Sequence, residues 1–379
     1  MKIIDPALSQ EEQSTKSSSE QSLEFRGTAR EYFRIWIVNL CLTLLTFGIF
    51  SAWAKVRKKR YLYSQTILGG TPFQYLGQPI PILKGRAIAA IGFLIYYISG
   101  HFFTSLLPYV LVAGLLAAPW VIVRSAAFNA RYSAFRNMTF HFDGKYLQAA
   151  KVLYLWSVIP VLAIAPVILG MMSHQASKSR SVVLGIVGVT SFVLLMLFPW
   201  WMKRFKNFII QNTSYGGRNG VFSATGGQFF EIYFTSCLIM LAVAIPTGLS
   251  ASLLFGSKNL PSPYVFSIPM YLGYILAYAF MRARSGNLVW NHTALGPLRF
   301  QSTLRCGGLL KLYFTNAVGI VASLGLLIPW AVVRTVKYRA DNMRVLQVGE
   351  LTEFEGSDLR SVAAVGAEAL DFFDVDLSL

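Results

Sequence analysis

"GIFSAWAKVRKKRY", residues 48–61, ends an apolar run of about one membrane thickness in a basic cluster. It marks either the end of one helix or one copy of a junction from which the whole chain is built. An aromatic residue followed four positions later by arginine closes an apolar segment at five places. These are Trp53–Arg57, Trp120–Arg124, Trp200–Arg204, Tyr278–Arg282 and Trp330–Arg334. Proline precedes the tryptophan at Pro119, Pro199 and Pro329. A spacing of four puts ring and guanidinium on one helical face, one turn apart. At a membrane boundary such a ring sits at headgroup depth, while arginine reaches toward water or phosphate. Membrane helices often end in Trp and Arg, so one copy would carry little. Five at equivalent places point to a repeat.

The composition agrees with a membrane reading. The chain has 379 residues, 54% hydrophobic and only 13% charged, about half the charge of a soluble domain. Apolar segments at 33–53, 87–104, 106–123, 152–172, 182–201, 232–255, 263–281 and 312–333 approach the roughly 20 residues a span needs. A water-soluble chain of this length could not bury all eight. The expected fold class is therefore an α-helical polytopic membrane protein with internal repeats, its helical hairpins joined by small cytoplasmic β-hairpins. Residues 1–22 are polar, rich in Ser, Glu and Gln, and read as a disordered tail without the apolar core of a signal peptide. Residues 23–356 form the repeat-built membrane domain. Cys41, Cys237 and Cys306 lie far apart, two of them in apolar runs, and read as small buried hydrophobes rather than a disulfide or zinc framework.

The net charge of +17 would suit a nucleic-acid binder, but its distribution argues otherwise. Segments 54–86, 124–151, 202–231 and 282–311 carry seven, five, four and five Lys or Arg. The alternate connections hold only Lys178, Arg180 and Lys258. This is the positive-inside pattern, which places the basic face in the cytoplasm. Basic clusters beside spans attract anionic lipid headgroups. Membrane lipid is the expected partner, nucleic acid is not, and the sequence names no protein partner.

Downstream of the junctions, "QTILGG" (65–70), "NTSYGG" (212–217) and "HTALGP" (292–297) share T-x-x-G, with a looser copy in "NMTFHFDG" (137–144). The pattern F-x-G recurs at Phe25–Gly27, Phe142–Gly144 and Phe354–Gly356. Short β-prone runs broken by glycine read as hairpins. Several such hairpins are expected to assemble into one sheet.

The first and last apolar segments match without gaps at an offset of 277. Arg34 meets Lys311, Asn39 meets Asn316, Gly48 meets Gly325, Trp53 meets Trp330 and Arg57 meets Arg334. This raises a question of parity. If both segments cross fully, giving eight spans, the termini lie outside together with Arg334, Lys337, Arg339 and Arg344. If both are re-entrant or bent at the interface, six spans remain and all five junctions are cytoplasmic. The second arrangement is the expectation, with Asn39, Thr43, Thr46, Gly48 and Gly325 as bend-prone points. Irregular backbone at membrane depth must then be buried in protein or line water.

Chemistry-bearing motifs are missing. The four histidines lack ligand spacing, and no phosphate loop, nucleophile elbow or H-E-x-x-H stretch occurs. No catalytic residue, metal site or cofactor is expected. Intramembrane charge, the usual mark of a transport pathway, is essentially lacking. Asn39 and Asn316 are the best intramembrane polar candidates, either hydrogen bonding between the two matching segments or contacting a substrate. The acidic stretch 357–379, with Leu370, Phe373 and Leu377 at helix-like spacing, reads as an amphipathic tail.

"FRGTAREYFRIWIVNLCLTLLTFGIFSAWAKVRKKRY" with the downstream "TPFQYLGQPIPILKGR", and the closing "DFFDVDLSL", resemble the bacterial inner-membrane YjgN family. The resemblance covers residues 23–379 and implies a multi-pass protein of the bacterial inner membrane. That family is of unknown function, so it supplies no catalytic residues. The missing constellation and the repeated junctions favour a non-enzymatic scaffold or binding protein with a basic cytoplasmic face. A transporter or channel for a small solute is the alternative.

Overall fold

The computed structural model describes residues 18–154, 180–255 and 264–348. The protein is mostly helical and includes eleven strands among these residues. It divides into two compact units. One holds the described residues up to Phe33 with Ser223–Thr293 and Leu298–Val348; the other holds Arg34–Phe222 and Ala294–Pro297.

Among the described residues, three helical stretches are long and apolar enough to cross a membrane: Pro79–His101, Thr104–Tyr132 and Gly226–Ser250. Their surfaces carry exposed Ile91, Phe93, Leu116 and Leu241, an apolar covering that water would penalise heavily and lipid would not. The expected segment 152–172 falls almost wholly outside the described residues, as does the acidic tail 357–379.

In the unit containing Arg34–Phe222, helices α1 (Ala29–Leu45, which begins in the other unit) and α2 (Ser51–Ser64) are followed by α3 (Pro79–His101), α4 (Leu107–Tyr132), α5 (Tyr146–Tyr154) and α6 (Arg180–Gln211). Among the described residues, two apolar clusters hold α2 to α6. Ala52 and Val56 of α2 pack with Tyr75, Ile82 of α3 and Phe128 of α4. Ile122, Val123 and Ala126 of α4 pack with Ala149 of α5 and Phe205, Phe208 and Ile209 of α6. Each buried Val, Ile or Phe among them contributes roughly 1.5–3 kcal/mol.

Strands follow the helices where the glycine-broken runs predicted them. Strands β2 (Thr66–Leu68) and β3 (Thr71–Pro72) pair antiparallel around Gly69 and Gly70. Strands β5 (Ser133–Phe135) and β6 (Met138–Phe142) turn at Arg136 and Asn137, and β7 (Thr213–Tyr215) and β8 (Arg218–Phe222) at Gly216 and Gly217. Both residues of each two-residue turn have positive φ, the twist that suits an antiparallel pair. This corrects the looser copy expected at 137–144: the stretch equivalent to the T-x-x-G copies is 132–137, with Arg136 and Asn137 at the turn where the other two have glycine pairs. Pairing of β4 (Gln74–Tyr75) with β5, and of β6 with β7, makes β4 to β8 one continuous antiparallel sheet, and the β2/β3 hairpin does not pair with β4.

The other unit contains α7 (Gly226–Phe255), α8 (Tyr264–Asn291), α9 (Cys306–Ala322) and α10 (Ile328–Asp341). Helices α7 and α8 approach closely where Gly273 faces Val243. Ala279 and Ala283 of α8 pack on Leu309 and Leu312 of α9. Strand β11 (Met343–Val348) pairs antiparallel with β10 (Leu298–Ser302) on one side and β1 (Ser18–Phe25) on the other. This corrects the tail boundary of 1–22: Ser18–Ser22 pair with Val348–Arg344, reinforced by Arg344 donating to Glu20 at 2.6 Å. The partner of that strand is more than 300 residues away, so local composition alone reads as disorder.

Neither 33–53 nor 312–333 is a continuous helix. The first breaks between α1 and α2, the second between α9 and α10. The expectation of an irregularity there, at Gly48 and Gly325, matches the places where the backbone turns. Eight uninterrupted apolar helices are not what the chain forms.

Candidate functional site

The turn at 46–50 follows from a few residues. Phe47 (φ +50°) and Gly48 (φ +91°) leave the helical region. The Gly48 amide donates to Thr43 O at 2.8 Å and the Phe47 amide to Leu44 O at 3.2 Å, the paired bonds of a Schellman helix end. The Thr46 hydroxyl donates to Leu42 O at 2.7 Å and accepts from the Phe50 amide at 2.9 Å. The same construction recurs at 323–327. Leu324 (φ +51°) and Gly325 (φ +92°) turn, Gly325 donates to Ile320 O at 2.8 Å, and Ser323 takes the role of Thr46.

Beyond each turn the second helix runs back beside the first. Asn39 of α1, 6% exposed, accepts from the Arg57 guanidinium of α2 at 3.5 Å. Asn316 of α9, 7% exposed, accepts from Arg334 of α10 at 3.4 Å. Its amide also donates to Thr335 Oγ1 at 3.2 Å and Ala331 O at 3.4 Å. Each asparagine therefore bonds within its own helix pair. The turns bring these partners back to each asparagine.

Arg57 and Arg60 of α2, with Tyr61 and Ser64, occupy one face at helical spacing. Opposite them Arg34, Ile35 and Val38 project from α1, and together they line a shallow open groove of about 620 Å³. Arg60 also donates to Gly77 O at 3.1 Å, which holds its head in place. Among the described residues none of the three arginines is ion-paired. Three like charges over an apolar floor make a site suited to a phosphate that brings a hydrocarbon chain with it.

The five aromatic–arginine junctions do not all use their spacing in the same way. Arg334 stacks over Trp330 with its guanidinium 5.0 Å from the ring centre, and Arg282 over Tyr278 at 5.9 Å. Arg57 instead lies over Phe50 at 5.2 Å, because Trp53 stacks on Phe50 and packs into the α2 core cluster. Trp120 and Trp200 are partly exposed, and the buried Nε of Arg124 has no hydrogen-bond partner. The helices do not end at the junctions. Each runs seven to nine residues beyond its arginine before its strand begins.

Sequence reasoning missed Arg34, Arg60, Tyr61 and Val38 as groove residues. Their signal was the i, i+3, i+4 spacing of Arg57, Arg60 and Tyr61, but pairing them with α1 needs the turn. The three cysteines are free thiols, and Cys41 lies exposed on α1 instead of buried, because the helix turns that face away from its neighbours. Among the described residues no cluster of His, Cys, Asp or Glu could hold a metal ion.

Comparison with known proteins gives a family and no activity. A relative from Salmonella typhimurium, "Inner membrane protein YjgN", is 24% identical over 382 residues, covering 90% of this chain and 92% of its own length. The protein of the same name from Escherichia coli O157:H7 is 25% identical over 371 residues, covering 86% and 88%. That from Escherichia coli K12 is 44% identical over a stretch of 54 residues, 14% of either chain. No solved structure matches. The family model described as "Bacterial protein of unknown function (DUF898)" matches residues 20–372. With its apolar helices and these inner-membrane relatives, the chain is a membrane protein and belongs to the DUF898 family.

Proposed function

We propose that this protein is a non-enzymatic, multi-pass binding or scaffold protein of the bacterial inner membrane, whose basic cytoplasmic face holds anionic lipid headgroups. The observation that carries this reading is the groove in which Arg34, Arg57 and Arg60 converge over Ile35 and Val38. A headgroup phosphate would accept from the guanidinium groups, and its acyl chain would follow the apolar residues of α1. Charge-assisted bonds of this kind are about twice as strong as neutral ones.

In this reading the segments 33–53 and 312–333 are re-entrant. Helix α1 has 17 residues, and at 1.5 Å per residue that is about 25 Å, short of the roughly 30 Å hydrocarbon core. The turn tips carry Phe47 and Leu324, 98% and 94% exposed, in a backbone conformation that costs an L-residue about 1–2 kcal/mol. Large apolar side chains held outward at a tip suit insertion into lipid, with the arginines at the open end near the headgroups. The five junctions, in this account, are repeated units of one cytoplasmic boundary.

Two measurements test the reading. Replacing Arg34 and Arg57 together by Ala lowers retention of phosphatidylglycerol by the purified protein several-fold while leaving phosphatidylcholine unchanged; equal retention by variant and parent would sink it. Single cysteines replacing the exposed Arg26 and Arg339 in a cysteine-free background are labelled only from the cytoplasmic side. Labelling of both from the periplasmic side refutes the re-entrant arrangement. A transport role, the second reading of the sequence, finds less support, because Asn39 and Asn316 are engaged within their helix pairs.

A further inference from the structure

The two bent segments match residue for residue at the offset of 277, yet their arginines are differently engaged. In the second pair, Arg334 donates to Thr315 Oγ1 at 2.6 Å, in addition to the bond to Asn316. In the first pair the residue at the position of Thr315 is Val38, which has no acceptor, and Arg57 keeps only its long bond to Asn39. The position of Ser64 in the first pair is taken by Asp341 in the second, and Arg34 and Arg60 are replaced by Lys311 and Lys337.

From this contrast we propose that the two helix pairs are one anion site in two states: α1–α2 open to a lipid phosphodiester, α9–α10 closed by its own side chains. The inference rests on the headgroup-binding reading above and adds which pair binds and what decides it. A guanidinium offers its donors in a planar fork. In α9–α10 part of that fork is spent on a hydroxyl and an amide of the same protein, and a carboxylate stands where a phosphate would need positive surroundings. In α1–α2 the corresponding donors face the groove, and the methyls of Val38 extend its apolar floor toward an acyl chain. Val38 and Thr315 are thus specificity-determining residues. Val and Thr have nearly the same shape, so the exchange changes hydrogen bonding without changing volume.

The test uses the full chain, purified in a neutral detergent and titrated with short-chain phosphatidylglycerol, phosphatidylcholine or soluble glycerol phosphate. Bound molecules are counted by native mass spectrometry. The parent protein retains phosphatidylglycerol over phosphatidylcholine. Val38→Thr retains one fewer, because the new hydroxyl captures Arg57. Thr315→Val combined with Asp341→Ser retains one more. Val38→Thr melts at the parental midpoint, which separates the loss of one lipid from a packing defect; a loss that comes only with a lowered midpoint overturns the assignment. If the parent binds phosphatidylglycerol preferentially but neither exchange changes the count, the open-and-closed assignment is overturned while the headgroup reading stands. If the parent shows no preference over phosphatidylcholine, both fall. Glycerol phosphate binding as tightly as the lipid overturns the assignment to a lipid, leaving a soluble phosphate ester as the ligand.

Discussion

Arg334 and Asn316 lie eighteen residues apart in sequence and meet at 3.4 Å across a single turn. Arg57 and Asn39 have the same separation and meet at 3.5 Å. A polar side chain within an apolar run and an arginine at its end, which in sequence look like separate features, are two halves of one clamp that fixes how each helix pair closes.

The clamp gives an ordered expectation for stability. Asn316 exchanges hydrogen bonds with Ala331, Thr335 and Arg334, whereas Asn39 has one long bond to Arg57. Replacing Asn316 by Ala removes several buried bonds and costs about 1–3 kcal/mol. The same change at Asn39 costs less. Thermal unfolding of the two variants in detergent should show the larger drop in midpoint for Asn316→Ala.

The turns depend on Gly48 and Gly325, with φ near +90°. A methyl group at Gly48 would meet nothing within 4 Å, and at Gly325 only Ile328 in ordinary contact. The penalty for alanine is therefore conformational, about 1–2 kcal/mol at each site. Conversely, Phe47→Gly relieves backbone strain at φ +50° but removes the exposed ring. It should raise the unfolding midpoint in detergent and reduce protection of the tip from water-soluble quenchers in bilayers.

Steric closeness makes a harsher case of Gly220 in β8. An added methyl there would collide with the backbone carbonyl of Ile210 in α6, and a carbonyl in a helix cannot swing aside. Gly220→Ala should cost more than about 2 kcal/mol, in the range of overpacked cores. Gly308→Ala should cost less, since the nearest atom is the hydroxyl end of the Tyr338 side chain. Comparing the two variants' folded yield and melting midpoint checks the ranking.

Tyr215 adds a dependence on pH. Its hydroxyl donates to Phe135 O at 2.9 Å within the sheet, and burial pushes its pKa up to about 12, partly offset by Arg136. A raised folded-state pKa favours the protonated, folded form. The contribution is fully present below the ordinary value near 10 and is lost as pH rises through about 12. Stability should thus be insensitive to this group at neutral pH and fall between those values. Tyr215→Phe should lose that portion of the alkaline decline, read by fluorescence-detected unfolding across the range.

Much of the plan was legible along the chain. Apolar length and basic clustering pointed to a membrane, since those are sums over neighbouring residues. Glycine pairs and T-x-x-G located the β2/β3 and β7/β8 hairpins, because two positive φ values are a local demand that glycine meets most easily. The bends at Gly48 and Gly325 were legible for the same reason. Strand β1 was not, since polar residues 18–22 become ordered only by hydrogen bonding to 344–348. Nor was the preference of Arg57 for Phe50 over Trp53, which depends on the core cluster claiming the tryptophan.

The sequence by itself determined that this is an apolar chain with clustered basic residues, recurring aromatic–arginine junctions and two matching segments. Those properties reside in composition and short-range spacing. Only the tertiary structure decided that each matching segment folds back on itself, that its asparagine holds its own arginine, and that Val38 leaves one guanidinium available while Thr315 occupies the other. The reason is physical: a hydrogen bond is settled by which groups arrive within about 3 Å of each other, and that distance is set by the turn, which no stretch of one helix contains.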